Sequence, residues 1–254
     1  MRISIIHPSR QRPKLAVDVV NKWLLNAKNW KEIEYLISLD ADDPTTKEYE
    51  RLLEKTPLFQ YNKSPFKKIL ISPNTSMVEA VNRGASQATG NLLIVVSDDF
   101  DCFPNWDEWL ISQVEGKEDF AVKVPDGYVK DYYLQTLPIC DRKYYNRFGY
   151  IYNPLYRHMY VDTEASVVAY MLGRMIVIPD EGNPIFRHLH YTRGLSVRDE
   201  INIRNDSTYG SGGNIFYHRL ISNFGLKPEE IKFKFTPEFF KTGQATVAGY
   251  NFLG

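Results

Sequence analysis

Strand-like and helix-like segments alternate through residues 1–100. Short apolar runs rich in β-branched residues predict strands at 3–6, 34–39, 68–71 and 92–96. Apolar residues at helical spacing predict helices over 13–27, 45–54 and 75–88. The run at 92–96 is unbroken, which is typical of a strand buried on both faces in a parallel sheet. This order predicts an α/β fold with a mostly parallel sheet, helices on both faces and right-handed crossovers.

The second half of the chain has a less regular pattern. We expect strands at 120–124, 175–178 and 184–190 and helices at 165–172 and 215–223. Residues 126–160 are rich in tyrosine, whose flat ring and hydroxyl suit stacking on sugars, although the same rings can pack an irregular lobe. Residues 193–214 are rich in Gly, Ser, Asn and Arg, which predicts either a mobile loop that closes over a substrate or an ordinary flexible connection.

Three carboxylates follow the predicted strand at 92–96. Asp98, Asp99 and Asp101 come at its carboxyl end, where open α/β sheets bind ligands. Three like charges so close together repel one another unless a cation or a network of hydrogen-bond donors offsets them. A divalent ion shared with a substrate phosphate is one solution, and a solvated acidic turn in which an Asp caps the next helix is the alternative.

Charged residues also follow the first two predicted strands. Arg10 and Arg12 come after the first strand and can pair with phosphate oxygens, which arginine does bidentately. Asp40 ends the second strand and can accept a hydrogen bond from a base N–H or a ribose hydroxyl. Because these loops share one edge of a parallel sheet with the Asp98 cluster, together they predict a pocket for a nucleotide diphosphate. Taken singly, each arginine can equally be a solvated surface charge.

Two further groups of candidates lie in the second half. Asp162 and Glu164 precede the helix predicted at 165–172, where the helix dipole favours negative charge, so each is either a functional acid or a capping one. His188 and His190 point to the same face of an extended segment, so one or both can reach a metal or a phosphate. The alternative is that they are structural.

Composition limits the class of protein. The 254 residues are 43% hydrophobic and 14% aromatic, which argues against a disordered chain. The 31 Lys and Arg residues equal the 31 Asp and Glu residues in number, which argues against a general nucleic-acid or membrane-surface binder. The two cysteines are too few for a disulfide scaffold. We see no signal peptide and no apolar run near the roughly 20 residues of a membrane span, so we expect a cytoplasmic protein.

Several of these segments match, in chain order, the motifs of one enzyme family. Residues 5–13 match its first nucleotide loop, residues 38–40 its second, and residues 74–91 the helix before its metal strand. Ser97-Asp98-Asp99 falls where the family has its Asp-x-Asp-type motif, Asp162 where it places an acidic base, and His188 or His190 where it places a late metal-binding histidine. The chain thus resembles the inverting family 2 glycosyltransferases of the GT-A fold.

The resemblance implies a single compact GT-A domain. Residues 1–124 would form its nucleotide-sugar-binding half, and residues 125–254 its smaller, mixed acceptor-binding half with a C-terminal extension. The implied activity is hexosyltransferase-like: a sugar moves from a nucleotide-diphosphate donor to a hydroxyl of a glycan or another acceptor. We do not expect a nucleic-acid partner, although a modified base stays open as the acceptor. The implied nucleotide-binding residues are Pro8, Ser9, Arg10, Arg12, Asp40, Asn74, Arg83 and Asp98. A Mn²⁺ or Mg²⁺ ion would be held among Asp99, Asp101, His188 and His190, and catalysis would fall to Asp162 with Glu164 in support.

Two other functions compete with this one. A sugar nucleotidyltransferase also combines an α/β nucleotide domain with a metal carboxylate, but it ordinarily needs a Gly-rich phosphate loop, and residues 8–14 contain no Gly. A non-catalytic nucleotide- or glycan-binding protein can share the same scaffold. The presence of Asp98, Asp99 and Asp162 together argues against that second alternative.

Overall fold

The strands form one mixed sheet and one short ladder. The computed structural model describes residues 1–60, 65–128, 133–182 and 184–242. The strands in these residues are β1 Ile3–Ser9, β2 Glu34–Asp40, β3 Lys67–Ser72, β4 Leu92–Val95, β5 Phe100–Cys102, β6 Ala121–Lys123, β7 Ile139–Asp141, β8 Met175–Val177 and β9 Phe186–His188. Seven of them make the sheet, in the order β3-β2-β1-β4-β7-β6-β8, and β5 pairs with β9.

The helices lie between the strands and after the last one. They are α1 Pro13–Leu25, α2 Thr46–Glu54, α3 Met77–Gln87, α4 Trp106–Val114, α5 Arg142–Phe148, α6 Val161–Met171, α7 Glu200–Asp206, α8 Tyr209–Ile221 and α9 Pro237–Thr242. Local signals start several of them: Pro13 opens α1, and the Ser76 side chain accepts a hydrogen bond from the backbone N–H of Glu79 in α3. In the part of the chain described, no helix is both long and apolar enough to cross a membrane.

The sheet is parallel where the sequence predicted it to be. β1 pairs in parallel with β2 and β4, and β2 pairs in parallel with β3. β7 departs from this pattern because it runs antiparallel to both β4 and β6, while β8 again runs parallel to β6. The predicted α/β fold with a mostly parallel sheet is therefore confirmed.

Both faces of β4 are buried, as its unbroken apolar run predicts. Leu92 and Ile94 pack into one hydrophobic cluster with Trp23 of α1, whereas Leu93 and Val95 pack into a second cluster with residues of α3 and α6. Alternate side chains of a strand point to opposite faces of its sheet, so one central strand joins the two halves of the core. Helices consequently cover both faces.

Residues 193–214 are not the long loop that we expected. Most of them belong to α7 and α8, and a capping box between Asp199 and Asn202 begins α7. Gly212 serves close packing, because a Cβ on it would collide with the carbonyl oxygen of Met159, whereas a Cβ on Gly210 would meet open space. The prediction was wrong because glycine enrichment signals either flexibility or a close backbone approach, and only the tertiary contacts separate the two.

The helix that carries the candidate acids begins earlier than the sequence pattern indicated. α6 starts at Val161 rather than near residue 165, so Asp162 and Glu164 both lie in its first turn. Residues that are two positions apart in a helix are separated by about 200° around its axis. The two carboxylates therefore point in opposite directions, which decides their different surroundings.

Candidate active site

A cleft of about 390 Å³ opens at the carboxyl ends of β1, β2 and β4. It is lined by residues that follow these strands and by residues from the ranges 157–162, 188–192 and 201–209. Ten of the predicted site residues line this cleft together: Pro8, Ser9, Arg10, Arg12, Asp40, Asp98, Asp99, Asp162, His188 and His190. Residues 129–132, part of the Tyr-rich segment, lie outside the described chain.

Asp98 is held by donors from β1. The hydroxyl of Ser9 lies 2.9 Å from both carboxylate oxygens of Asp98, and Nε2 of the fully buried His7 lies 2.9 Å from Oδ1. The other ring nitrogen of His7 lies 2.9 Å from the hydroxyl of Tyr35, whose pKa burial raises well above its usual value. With Nε2 protonated, His7 donates to Asp98 and accepts from Tyr35. A donor network thus fixes this carboxylate in place.

Asp40 has a comparable set of supporting contacts. Its carboxylate accepts hydrogen bonds from Arg10, at 2.9 Å, and from the side-chain amide of Asn74, at 3.0 Å. Arg83 in turn donates to the amide oxygen of Asn74 at 3.0 Å. Asn74 and Arg83 do not line the cleft, so the structure places them behind Asp40 as its supports. Arg10 also pairs with Asp42, at 2.5 Å.

Asp99 and His188 lie next to each other in the cleft. β5 and β9 pair so that Phe100 lies opposite His188, and the two rings stack with centroids 4.2 Å apart. This register brings Nε2 of His188 to 3.3 Å from Asp99, whose other oxygen accepts from the Ser97 hydroxyl at 2.5 Å. Burial opposes ionisation of Asp99, but the hydrogen bond and charge of His188 hold its pKa well below the usual range.

His190 lines the same part of the cleft without reaching Asp99. Its ring lies 5.0 Å from that of His188, and its Nδ1 is 2.9 Å from the hydroxyl of Thr192. Burial, followed by the nearby His188, lowers the pKa of His190. Of the two histidines that the sequence left open, His188 is the one beside Asp99.

Asp101 lies outside the cleft. The chain turns at Asp98 and Asp99 before β5 begins, and this turn directs Asp101 toward α1, where its carboxylate lies 2.6 Å from Nζ of Lys22. The expectation that Asp101 would join a metal site is therefore not met by the geometry. It failed because spacing in the sequence does not reveal a turn between two carboxylates.

The candidate ligands that remain, Asp99 and His188, suit a metal ion that is bound partly by the protein and partly by a substrate. Among the described residues, no cluster of three or more His, Cys, Asp or Glu side chains converges as a complete metal site. Mg²⁺ and similar ions are commonly held by one or two protein groups, with substrate phosphates and water completing the shell. Asp99 and His188 fit that arrangement because both face the cleft.

Asp162 and Glu164 have different surroundings. Asp162 lines the cleft, accepts a hydrogen bond from the backbone N–H of Thr163 at 2.8 Å, and has a pKa that burial raises above the usual value. Glu164 is 4% exposed on the opposite side of α6, where Arg219 donates to it at 2.8 Å and 3.0 Å and Tyr156 donates at 2.7 Å. Glu164 is thus outside the cleft, and the support that we expected it to give to catalysis has no geometric basis.

The sequence comparison decides the family. The family model described as glycosyl transferase family 2 matches residues 4–175, which include all but the first residue of β1, the whole of β2 to β4 and the segment from Asp98 to Asp162. The chain belongs to glycosyl transferase family 2. No curated protein matches the sequence significantly.

Solved structures of other proteins share the fold of this chain. The mannosyltransferase PcManGT from Pyrobaculum calidifontis, in complex with GDP-Man and Mn²⁺, is 15% identical with a TM-score of 0.55, over 70% of this chain and 55% of that one. TarS from S. aureus is 15% identical with a TM-score of 0.58, over 74% of this chain and 36% of that one. TarS 1-349 in complex with UDP-GlcNAc is 15% identical with a TM-score of 0.55, over 71% of this chain and 57% of that one. This chain spans between 36% and 57% of the length of these three chains, and likeness at this identity shows the GT-A fold.

Several groups around the cleft of the family 2 domain were not predicted from the sequence. His7 is one, although a polar residue inside a buried strand was a usable signal. Another is α7, where Asp199 accepts from Arg12 at 2.6 Å and 2.7 Å and thereby ties the helix to the loop after β1. His158, whose ring lines the cleft, is the third. Nothing local in the sequence distinguishes His158 from a surface histidine.

Proposed function

We propose that this family 2 domain transfers a sugar from a nucleotide-diphosphate donor to an acceptor hydroxyl. The observation that carries the proposal is the convergence of Asp40, Asp98, Asp99 and Asp162 on one cleft. Residues 1–124 would supply the nucleotide side of the cleft, and residues from 125 onward the acceptor side. The nucleotide sugars in the PcManGT and TarS structures support this class of donor.

The nucleotide would lie along the ends of β1, β2 and β4. Asp40 is held at the end of β2 with a carboxylate that can accept a hydrogen bond from a base N–H. Asp98 is fixed by β1 in a position suited to a ribose hydroxyl. Arg10 and Arg12 follow β1 and bring positive charge to the same edge, where it would favour a diphosphate.

Asp99 and His188 would hold a Mn²⁺ or Mg²⁺ ion, with His190 beside them. When bound, such an ion offsets the charge that the diphosphate gains as it leaves. The Ser97 hydroxyl holds one oxygen of Asp99, and the stacked ring of Phe100 fixes the plane of the His188 imidazole. The protein would therefore present both ligands in fixed orientations before the donor binds.

Asp162 would act as the general base. Its raised pKa makes it a stronger base than an ordinary aspartate, and it lines the cleft in which the donor would bind. The acceptor proton would pass to the Asp162 carboxylate while the acceptor oxygen bonds to the anomeric carbon. The bond from that carbon to the phosphate oxygen would break at the same time, and its electron pair would leave with the nucleoside diphosphate. A single displacement of this kind inverts the anomeric centre.

The test is release of nucleoside diphosphate from a panel of nucleotide sugars. UDP-glucose, UDP-GlcNAc and GDP-Man are each incubated with Mn²⁺, the protein and a mixture of glycan acceptors, and donor binding is measured separately by calorimetry. We expect one donor to bind and to be consumed, and Asp162→Asn to bind it normally but to release diphosphate about 10²–10⁴ times more slowly.

The matched control is Asp18→Asn, which changes an exposed carboxylate on α1 outside the cleft. It should keep the rate of the unmodified protein. Binding of no nucleotide and no nucleotide sugar would overturn the proposed function. Normal transfer by Asp162→Asn would place the base elsewhere and leave the donor site intact.

A further inference from the structure

His158 is a polar ring that lines the cleft without a hydrogen-bond partner. Its Nδ1 is buried, and no donor or acceptor within the described residues lies in hydrogen-bonding reach of it. A buried polar group that stays unpaired destabilises the fold, so most such groups in folded proteins have a partner. The partner of a group that lines a binding cleft can be the ligand itself.

The backbone around His158 is fixed on both sides. Arg157 donates to the carbonyl oxygen of Thr75 at 2.8 Å, which ties the segment to the start of α3. The backbone N–H of Met159 donates to the hydroxyl of Thr208 at 3.1 Å, and Gly212 of α8 abuts the carbonyl of Met159. The ring is thus presented to the cleft by a rigid segment, which lowers the entropy lost when a ligand binds to it.

The ring shares the cleft with residues of the two loops that would bracket the diphosphate. Arg12, which follows β1, and Asp99, which follows β4, line the cleft together with His158. Their charges and that of Asp206 act on the ring. Four residues further along the chain, Asp162 lines the same cleft.

The charge state of the ring selects the kind of group that it can bind. Burial lowers the pKa of His158 to about 4, so the imidazole is neutral near pH 7. A neutral imidazole has one N–H donor and one acceptor nitrogen, which matches a hydroxyl group, whereas a phosphate has only acceptors.

We propose that His158 binds a hydroxyl group of the donor sugar and so helps to determine which sugar the enzyme accepts. This inference rests on the proposed function, because it assumes that a nucleotide sugar occupies the cleft. His158 would be a specificity residue in the segment before the general base Asp162, and it would contact the sugar rather than the nucleotide or the metal.

The experiment compares two ligands that differ only by the sugar. Calorimetry in the presence of Mn²⁺ measures the dissociation constant of each ligand from the protein. UDP is compared with UDP-glucose and UDP-GlcNAc, and GDP is compared with GDP-Man. In His158→Phe, which keeps an aromatic ring but removes both nitrogens, we expect the nucleoside diphosphate to bind within twofold of the unmodified protein. The dissociation constant of the nucleotide sugar should rise about tenfold. His158→Gln, which restores a donor and an acceptor, should recover most of that loss.

The matched control is His218→Phe, which changes an exposed histidine on α8 outside the cleft. It should leave both dissociation constants unchanged, and thermal unfolding of every variant checks the fold. If His158→Phe does not fold, His158→Leu takes its place.

Three outcomes would overturn the inference while leaving the proposed function intact. In the first, His158→Phe weakens the nucleoside diphosphate and the nucleotide sugar equally, which is the result of a structural or phosphate-binding residue. In the second, neither affinity changes. In the third, donor affinity is unchanged but the KM for the acceptor rises, which moves the ring to the acceptor. Failure of the unmodified protein to bind any of the nucleotides would instead overturn the proposed function itself.

Discussion

Glu164 is predicted to stabilise the fold rather than to take part in chemistry. Its carboxylate is buried beneath α6 and accepts hydrogen bonds from Arg219 of α8, Tyr156 and Asn153. In Glu164→Gln the side chain keeps its length but loses its charge. One of its oxygens also becomes an NH₂ donor that faces other donors.

The loss of stability in Glu164→Gln follows from the charge of Arg219, which is left without its partner. Arg219 keeps its charge with only 20% of its side chain exposed, and the partner that compensated it is gone. Removing one member of a buried ion pair costs about 3–5 kcal/mol. Since Arg219 retains some contact with water and donates to the carbonyl oxygen of Phe224, we expect a loss of about 3 kcal/mol, near the lower end of that range. For a chain of this size, that corresponds to a fall in Tm of about 6–12 °C.

The assay is urea denaturation followed by circular dichroism, together with donor binding and sugar transfer below the transition. The matched control is Glu118→Gln, whose carboxylate pairs with Lys143 at 2.6 Å while both side chains are exposed. That substitution should cost less than about 1 kcal/mol. If Glu164→Gln unfolds at the same urea concentration as the unmodified protein but no longer transfers sugar, our placement of Glu164 outside the chemistry is refuted.

Three further predictions concern the cleft. We expect Mn²⁺ to raise the nucleotide affinity of the unmodified protein and Asp99→Asn to abolish that gain, which calorimetry with and without the ion will show; an undiminished gain would remove Asp99 from the proposed metal site. Asp40→Ala should raise the dissociation constant of the donor about tenfold, since a buried hydrogen bond to a charged group is lost; unchanged affinity would mean that the nucleotide base binds in another part of the cleft. Because the pKa of Asp162 is raised in the folded state, the transfer rate should begin to fall on acidification at a higher pH than for an aspartate with the ordinary value of 3.8. The stability that protonated Asp162 contributes is present below that ordinary pKa and is lost as the pH rises through the raised one. Asp162→Asn should therefore be more stable than the unmodified protein at pH 7 but not at pH 3. A variant that is no more stable at pH 7 would contradict the raised pKa.

The sequence predicted what depends on neighbouring residues in the chain. Apolar runs located β1, β2, β3 and β4, and the carboxyl ends of parallel strands then placed Asp40, Asp98 and Asp99 at one edge of the sheet. The side of α6 on which each acid lies depends on where that helix starts, and the sequence pattern placed the start four residues late. Hence Asp162 and Glu164 were treated as neighbours in function although they face opposite ways.

Contacts between distant segments could not be predicted. The capping box at Asp199 is a local signal for α7, but only the fold shows that Arg12 reaches across to the same carboxylate. Likewise, Asp101 and Asp99 look equivalent in the sequence, and only the fold shows that Asp101 pairs with Lys22 whereas Asp99 lies beside His188.

The pairing of Arg10 with Asp40 would make binding of the proposed donor an exchange wherever the donor takes the place of Arg10. One oxygen of Asp40 is already bonded to Arg10, which is also held by Asp42. A base N–H that took the place of the guanidinium on this oxygen would gain its own contact and lose the ion pair, so the measured affinity would be the difference between the two. Salt weakens both the displaced pair, since Asp42 is 72% exposed, and the attraction between arginine and phosphate. These two effects oppose each other, so donor affinity should depend less steeply on ionic strength than the number of charges in the cleft would suggest.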